Sequence, residues 1–288
     1  MLRKCVLQIG ASAAAAAVVF NATAPTARCE RIYESGQVLG RGVKLELWKA
    51  KHKNVEVLDL ESETIQTGMT HVRDFNSSGA KFIHCANKLI RNVLESALTQ
   101  LPNDEDAVVT TPLGHKVKGV DYEDDVNVVG IALVENSAVG EQLKAVLETT
   151  LPFDSSVGHL QLSSADTIKA VDLPNGIASM HVILLYPEFA SFAKIDLAIR
   201  HLLHAGVEPD HIQVVTLVTC PAAADKFCAT YGDVSLVTAA FDFTSDAHHR
   251  IVPGLGNFEA RYLGEATEAP PAAIESESSG GSSWWPFK

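Results

Sequence analysis

The sequence lacks paired cysteines, a long hydrophobic run and an excess of positive charge. Its five cysteines are widely spaced and include no C-x-x-C pair, which argues against a disulfide framework and against a zinc knuckle. Lysine and arginine number 23 against 35 aspartate and glutamate, so general nucleic-acid binding is not expected. The alanine-rich run over residues 11–20 is far shorter than the roughly 20 apolar residues that cross a bilayer, and no transmembrane anchor is predicted.

The first 29 residues contain no acidic side chain, although Arg3, Lys4 and Arg28 are basic. This composition is typical of a targeting presequence over residues 1–29. The early arginine and the acidic sequence that begins at Glu30 favour a mitochondrial address. The small-x-small triplet at 22–24 keeps a secretory signal as the alternative, and a disordered arm is the third interpretation.

The rest of the chain alternates short apolar runs with helical patterns. Residues 81–98 carry apolar side chains at three- and four-residue spacings, which predicts an amphipathic helix, and an acidic turn is predicted at 102–106. Strands are predicted at 108–111, 126–134, 158–162, 181–185, 213–218 and 234–240, and further helices at 140–149, 192–205 and 221–230. The alternation predicts an α/β fold with a parallel sheet, whose ligand would lie beyond the carboxyl ends of the strands.

Residues 266–288 have the composition of a flexible tail. The segment is rich in glutamate, serine and glycine, and it cannot bury enough apolar surface to order itself. It ends in an aromatic motif that contains Trp284, Trp285 and Phe287. Three aromatic side chains on a flexible tether are suited to docking on a protein partner, such as a larger mitochondrial assembly. A tail without a docking role is the alternative.

Three segments near the end of the chain carry a resemblance to a known family. They read V-T-A-A-F-D at 237–242, I-V-P-G-L-G at 251–256 and R-Y-L-G at 261–264, and the sequence there resembles the uracil phosphoribosyltransferases. Further similar segments are H-A-G-V at 204–207, Pro221, V-T-T-P-L-G at 109–114 and K-L-I-R at 88–91. The resemblance covers about residues 55–265 and leaves residues 30–54 as an N-terminal extension.

The resemblance implies a type I phosphoribosyltransferase core with a small hood formed by both ends of the domain, usually in a dimer. It also implies a reaction, the transfer of ribose 5-phosphate from phosphoribosyl pyrophosphate to uracil with magnesium. That chemistry needs backbone N–H groups around the 5-phosphate, which glycines permit, and positive charge around the pyrophosphate. A carboxylate must also hold the ribose hydroxyls.

The three anion-binding loops of the family are altered in this chain. Where the family has D-P-M-L-A-T-G-G-S, this sequence has Y-P-E-F-A-S-F-A-K at 186–194, so Tyr186 replaces the ribose carboxylate. Phe192 and Ala193 replace the two glycines, while Ser191 keeps a hydroxyl and Lys194 adds a charge. Glu135 replaces the arginine of the family's R-A-G-E loop, and Ser164 replaces the arginine of R-D-E-E-T.

The base-binding segment of the hood is better preserved. Its candidate uracil-binding residues are Ile251, Pro253, Gly254, Leu255, Gly256 and Asn257, with Asn257 in place of the family's aspartate. A tight turn kept for shape alone is the alternative. The histidines at 201, 204, 211 and 248–249 lack the organised spacing of a metal site, so no metal is expected. The acidic runs 104–106 and 123–125 are interpreted as solvated loops.

Together these features predict a uracil phosphoribosyltransferase-like pseudoenzyme that acts as a structural or regulatory interaction module. Its partners would be a second or related chain in a dimer and a further protein, with uracil or UMP as a possible hood ligand. The alternative is an active uracil phosphoribosyltransferase of pyrimidine salvage, in which Lys194 and Ser191 replace the lost groups. Mg²⁺ with phosphoribosyl pyrophosphate is expected only under that alternative.

Overall fold

The computed structural model describes residues 38–163, 167–246 and 250–265. The chain divides into two compact units, residues 1–51 and 52–288. In the first unit the described part is the helix α1 (Val38–Lys49) and the two residues after it. The predicted presequence, the tail with Trp284, Trp285 and Phe287, Ser164 and the histidine pair 248–249 lie outside the described residues.

The second unit alternates strands and helices along the chain. In order they are β1 (Val55–Val57), α2 (Glu63–Arg73), α3 (Gly79–Leu98), β2 (Asn103–Thr110), β3 (Lys116–Tyr122), β4 (Val128–Val134), α4 (Ser137–Glu148), β5 (Ser156–Leu162), β6 (Ile168–Asp172), β7 (His181–Leu185), β8 (Glu188–Phe189), α5 (Phe192–His204), β9 (Ile212–Thr219), α6 (Pro221–Thr230), β10 (Ser235–Phe241), β11 (Thr244–Ser245), β12 (Ile251–Val252) and α7 (Phe258–Tyr262). Two short 3₁₀ turns, Ile177–Ser179 and Pro209–His211, precede β7 and β9.

A mostly parallel sheet of eight strands forms the core of this unit. Its order is β1-β10-β9-β7-β4-β5-β6, and β8 pairs with β9 beyond the end of β7. The strand β6 runs antiparallel to β5, whereas the other pairings in this sheet are parallel. Every residue of β4 and of β9 is buried, as expected for parallel strands that are covered on both faces. The predicted α/β fold class is therefore confirmed.

The helix predicted over residues 81–98 is α3, which begins two residues earlier. Its apolar stripe, which includes Phe82, Leu89, Ile90 and Val93, is fully buried. The helix packs against α2 and against β9 and β10. The three- and four-residue spacing of these side chains is the physical reason that the sequence alone located this helix.

The predicted acidic turn at 102–106 is wrong, and so is the placement of residues 108–111 in the main sheet. Residues 103–110 form the single strand β2, which pairs with β3 in a separate antiparallel hairpin. The described part of the chain covers neither face of the hairpin, and Val108 and Val120 are 55% and 69% exposed. Acidic residues are therefore tolerated along the strand. The acidic composition was not a valid sign of a turn, because strand pairing satisfies the backbone hydrogen bonds of β2 while its carboxylates remain in water.

The hood is formed by the described residues of 242–264 together with residues 72–82, which lie far apart in sequence. The strands β11 and β12 pair antiparallel, and a cis peptide bond joins Val252 to Pro253. Arg73 binds the buried carboxylate of Asp242 with Nη2 to oxygen distances of 2.8 and 2.9 Å. Both ends of the domain thus build the hood. None of the helices in the described ranges combines the length and apolar character needed to span a bilayer.

Candidate functional site

Three segments meet at the carboxyl edge of the sheet. The loop after β4 brings Glu135 and Asn136, residues 186–194 follow β7, and the hood contributes the first turn of α7. Glu135 and Lys194, predicted separately from two loops, form an ion pair there. Glu188 and Glu259 lie in the same site and were not singled out from the sequence.

The loop after β4 holds a carboxylate from the hood. The backbone N–H groups of Glu135 and Asn136 donate to the two Glu259 carboxylate oxygens at 2.7 and 2.8 Å. The side-chain amide of Gln161 donates to the Glu135 carbonyl at 2.9 Å, and the Asn136 side chain caps α4 by accepting the Ala138 N–H at 2.9 Å. Two adjacent amides that could bind an external anion therefore bind an anion of the chain itself.

Residues 186–189, the first part of the segment after β7, continue the sheet. The N–H of Tyr186 donates to the Val215 carbonyl at 2.9 Å, and the Pro187 carbonyl accepts the Leu217 N–H at 3.0 Å. Glu188 and Phe189 then form β8, in register with Val218 and Thr219 of β9. Tyr186 and Phe189 are buried. This part of the loop's backbone is committed to strand pairing.

The remaining loop residues start α5. Ser191 is the N-cap in an extended conformation, and its side chain makes no capping hydrogen bond. Phe192 packs against Tyr231 with ring centroids 6.2 Å apart. Ala193 is exposed, and Lys194 turns its ammonium group to Glu135. The charge that Lys194 adds to the loop is therefore neutralised inside the chain.

The site is rich in negative charge. Burial raises the pKa of Glu188 to about 7, against the opposing effects of the Phe258 N–H and Lys194, and the nearby Glu135 raises it further. Burial also raises the pKa of Glu259, although the two amides that it accepts act in the opposite direction. A pyrophosphate group would be repelled by those of these carboxylates that are ionised.

The hood turn depends on one glycine and one aspartate. The Gly254 N–H donates to Asp242 Oδ2 at 3.0 Å, the same carboxylate that Arg73 binds. Gly254 has a φ of 57°, and a Cβ there would lie 2.2 Å from the Ile251 carbonyl oxygen. A side chain is therefore excluded at this position. Ile251 and Leu255 are buried beside it.

Arg261 holds the hood on the core. Its guanidinium donates to the carbonyls of Val72, Leu255, Asp74 and Ser77 at 2.6–2.9 Å and lies 4.1 Å from the centre of the Phe82 ring. Asn257 caps α7 by accepting the Ala260 N–H at 3.1 Å. Pro253 and Gly256 complete the turn, in which Gly256 has a φ of 72°. The predicted base-binding residues thus lie next to one another. The hydrogen bonds of Gly254, Leu255 and Asn257 stabilise the hood.

The architecture defines an α/β protein with a mostly parallel sheet and a hood over the carboxyl ends of its strands. A solved structure of the AQ2163 protein from Aquifex aeolicus shares this fold with a TM-score of 0.60 and 18% identity, over 73% of this chain and 98% of that one. The family model described as uracil phosphoribosyltransferase matches residues 60–264. The chain therefore belongs to the uracil phosphoribosyltransferase family and has its type I phosphoribosyltransferase fold.

Several curated relatives match the same region. Uracil phosphoribosyltransferase 2 of Schizosaccharomyces pombe is 27% identical over 68% of this chain and 89% of its own length. A uracil phosphoribosyltransferase homolog of Danio rerio is 28% identical over 70% of this chain and 75% of its own length. Uridine kinase-like protein 5 of Arabidopsis thaliana is 30% identical over 70% of this chain and 43% of its own length. The match thus spans about two fifths of that longer relative.

Proposed function

We propose that this chain is a catalytically inactive member of the uracil phosphoribosyltransferase family that acts as a structural or regulatory interaction module. The observation that carries the proposal is the pair of hydrogen bonds from the Glu135 and Asn136 amides to the Glu259 carboxylate. The chain's own carboxylate occupies the donors that an anionic substrate would need at this loop. Binding such a substrate would require breaking both contacts and moving the hood.

The rest of the site also fits magnesium phosphoribosyl pyrophosphate poorly. Tyr186 stands where the family has its ribose carboxylate, and Phe192 and Ala193 stand where the family has the two glycines of its phosphate loop. Glu135, Glu188 and Glu259 surround Lys194, which is already paired with Glu135. No step of the family's reaction is therefore assigned to this chain.

The module would act through partners. The exposed hairpin β2–β3 presents apolar side chains, with Leu113 86% and Val120 69% exposed, and it offers a surface for a dimer with a second or related chain.

The aromatic motif at 284–287 is the proposed contact with a further protein, and the address proposed for residues 1–29 is mitochondrial. Deleting residues 284–288 should release that partner and leave the melting temperature unchanged.

A ligand titration tests the loss of catalysis. The full chain is titrated with magnesium phosphoribosyl pyrophosphate, uracil and UMP while its melting temperature is followed, because a ligand that binds only the folded state raises stability. We expect no shift with magnesium phosphoribosyl pyrophosphate and no UMP formed from labelled uracil, whereas an active family member assayed in parallel forms UMP. A shift with uracil or UMP alone would assign a nucleobase or nucleotide ligand to the hood of an inactive module.

The active-enzyme alternative makes the opposite prediction. Stabilisation by phosphoribosyl pyrophosphate together with UMP formation would overturn the proposal. In that case Lys194→Ala should abolish turnover, because Lys194 is the cation that the altered loop supplies. Lys226→Ala, which removes an exposed lysine of α6 outside the loop, is the matched control and should leave turnover intact.

A further inference from the structure

A second cleft lies at the opposite edge of the sheet. It has a volume of about 370 Å³ and opens at the amino ends of β7, β9 and β10, where His181, Gln213 and Ser235 stand. The strands are parallel, so this edge is remote from the loops after β4 and β7. Asp210 and His211, from the turn that precedes β9, form part of its wall. Neither lysine nor arginine is among the described residues that line it.

Three potential metal ligands converge on that turn. One donor atom each of Glu208, Asp210 and His211 lies within 4.8 Å of the other two. The backbone N–H of His211 donates to the Glu208 carbonyl at 3.1 Å, which closes the turn and brings the two residues together. The His211 ring packs on the ring of His181 with centroids 4.2 Å apart and an interplanar angle of 33°. The backbone therefore closes the turn, and ring packing holds the His211 imidazole.

The His211 imidazole shows an independent feature. Its Nδ1 atom is buried and makes no hydrogen bond within the described part of the chain. Buried polar atoms in folded proteins nearly always have a hydrogen-bond partner or a ligand, so we expect this nitrogen to have one. A bound cation would supply it, because a neutral imidazole nitrogen offers a lone pair to a metal.

The donor set selects a class of metal. Magnesium and calcium prefer sites built only of oxygen ligands, whereas imidazole nitrogen combined with carboxylates suits zinc and other divalent transition metals. Glu208 and Asp210 bring two negative charges to balance the ion.

We propose that Glu208, Asp210 and His211 bind one divalent transition-metal ion of the zinc class, with His181 positioning the His211 ring. This proposal contradicts the expectation from the sequence that the chain binds no metal. The sequence alone did not show that the turn brings these three side chains together. It is separate from the altered substrate site and does not depend on whether that site is active. The bound ion would stabilise the turn between α5 and β9.

Zinc binding by the full chain tests the proposal. Untagged protein is treated with a chelator, dialysed and titrated with Zn²⁺ by calorimetry at pH 7.5, and Co²⁺ is added in a parallel sample to record its ligand-field absorption. We expect one Zn²⁺ per chain, with an affinity that falls by about tenfold or more in His211→Gln and in Asp210→Asn. The melting temperatures of the metal-free variants show whether they remain folded.

His204→Gln is the matched control. His204 lies near the end of α5, where its ring binds the Arg200 carbonyl at 2.6 Å, and it is outside the three-residue cluster. This variant should bind Zn²⁺ as the unsubstituted chain does. Two results would overturn the site: no Zn²⁺ binding by the folded chain, or binding that the combined substitution of Asp210 and His211 leaves unchanged.

Discussion

Replacing Glu188 by glutamine should change how stability depends on pH. Glu188 is largely buried between Phe258, Lys194 and Glu135, and burial raises its pKa from the ordinary 4.5 to about 7. The folded protein therefore keeps a proton on this group over a pH range in which the unfolded chain has released it. The stability that this proton contributes is complete below about pH 4.5 and is lost as the pH rises through about 7.

The difference between the pKa of Glu188 in the folded protein and in the unfolded chain sets the size of its effect on stability. At about 1.4 kcal/mol per pH unit, it corresponds to about 3 kcal/mol of unfolding free energy lost between pH 4.5 and 7. Glutamine has nearly the same shape, keeps an acceptor for the Phe258 N–H and does not titrate. Glu188→Gln should therefore lack this loss, so that it gains about 3 kcal/mol over the unsubstituted chain between pH 4.5 and pH 8.

Urea denaturation at pH 4.5, 5.5, 6.5, 7.5 and 8 measures the difference between the two proteins at each pH. Carboxylates remote from Glu188 contribute equally to both proteins and cancel in that difference. Glu105→Gln, on the exposed hairpin, is the control and should follow the unsubstituted chain. If the stability curves of the unsubstituted chain and of the Glu188→Gln variant run parallel across this range, the buried carboxyl does not hold the proton and the electrostatic account of the site is refuted.

Three further substitutions test the contacts of the hood. Arg261→Ala removes the guanidinium that donates to four backbone carbonyls, of which only that of Asp74 keeps another donor, the Ser77 N–H. Urea denaturation should show a loss of about 3 kcal/mol or more, and a loss below about 1 kcal/mol would contradict the proposed anchor. Glu259→Ala removes two hydrogen bonds to a charged acceptor, but the freed amides can reach water, so a loss of about 1–3 kcal/mol is expected by the same method. Gly254→Ala places a Cβ against the Ile251 carbonyl at a positive φ and should cost about 1–3 kcal/mol in thermal denaturation, whereas Gly232→Ala, with open space around it, should be nearly neutral.

The strongest periodic patterns predicted their elements well. The apolar stripe of α3 and the apolar runs of β4, β7 and β9 are local signals. In a helix the residues three positions away, and in a strand those two positions away, show whether a side chain faces the core. Residues 108–111 were misplaced in the main sheet because a half-apolar, acidic run has the same local pattern inside or outside a sheet. Only the absence of a covering layer distinguishes the two cases.

The alternation of apolar runs and helical patterns predicted the fold class, and the resemblance of a few short segments predicted the family. The replacement of the family's loop residues by Tyr186, Phe192 and Glu135 stays a prediction. What the altered loops do became visible only in the folded chain, since Glu259 reaches the Glu135 and Asn136 amides across more than a hundred residues of sequence. Folding also made β8 a strand and buried Glu188 beside the hood. Contacts between distant segments depend on how the whole chain packs, and no local pattern of residues encodes them.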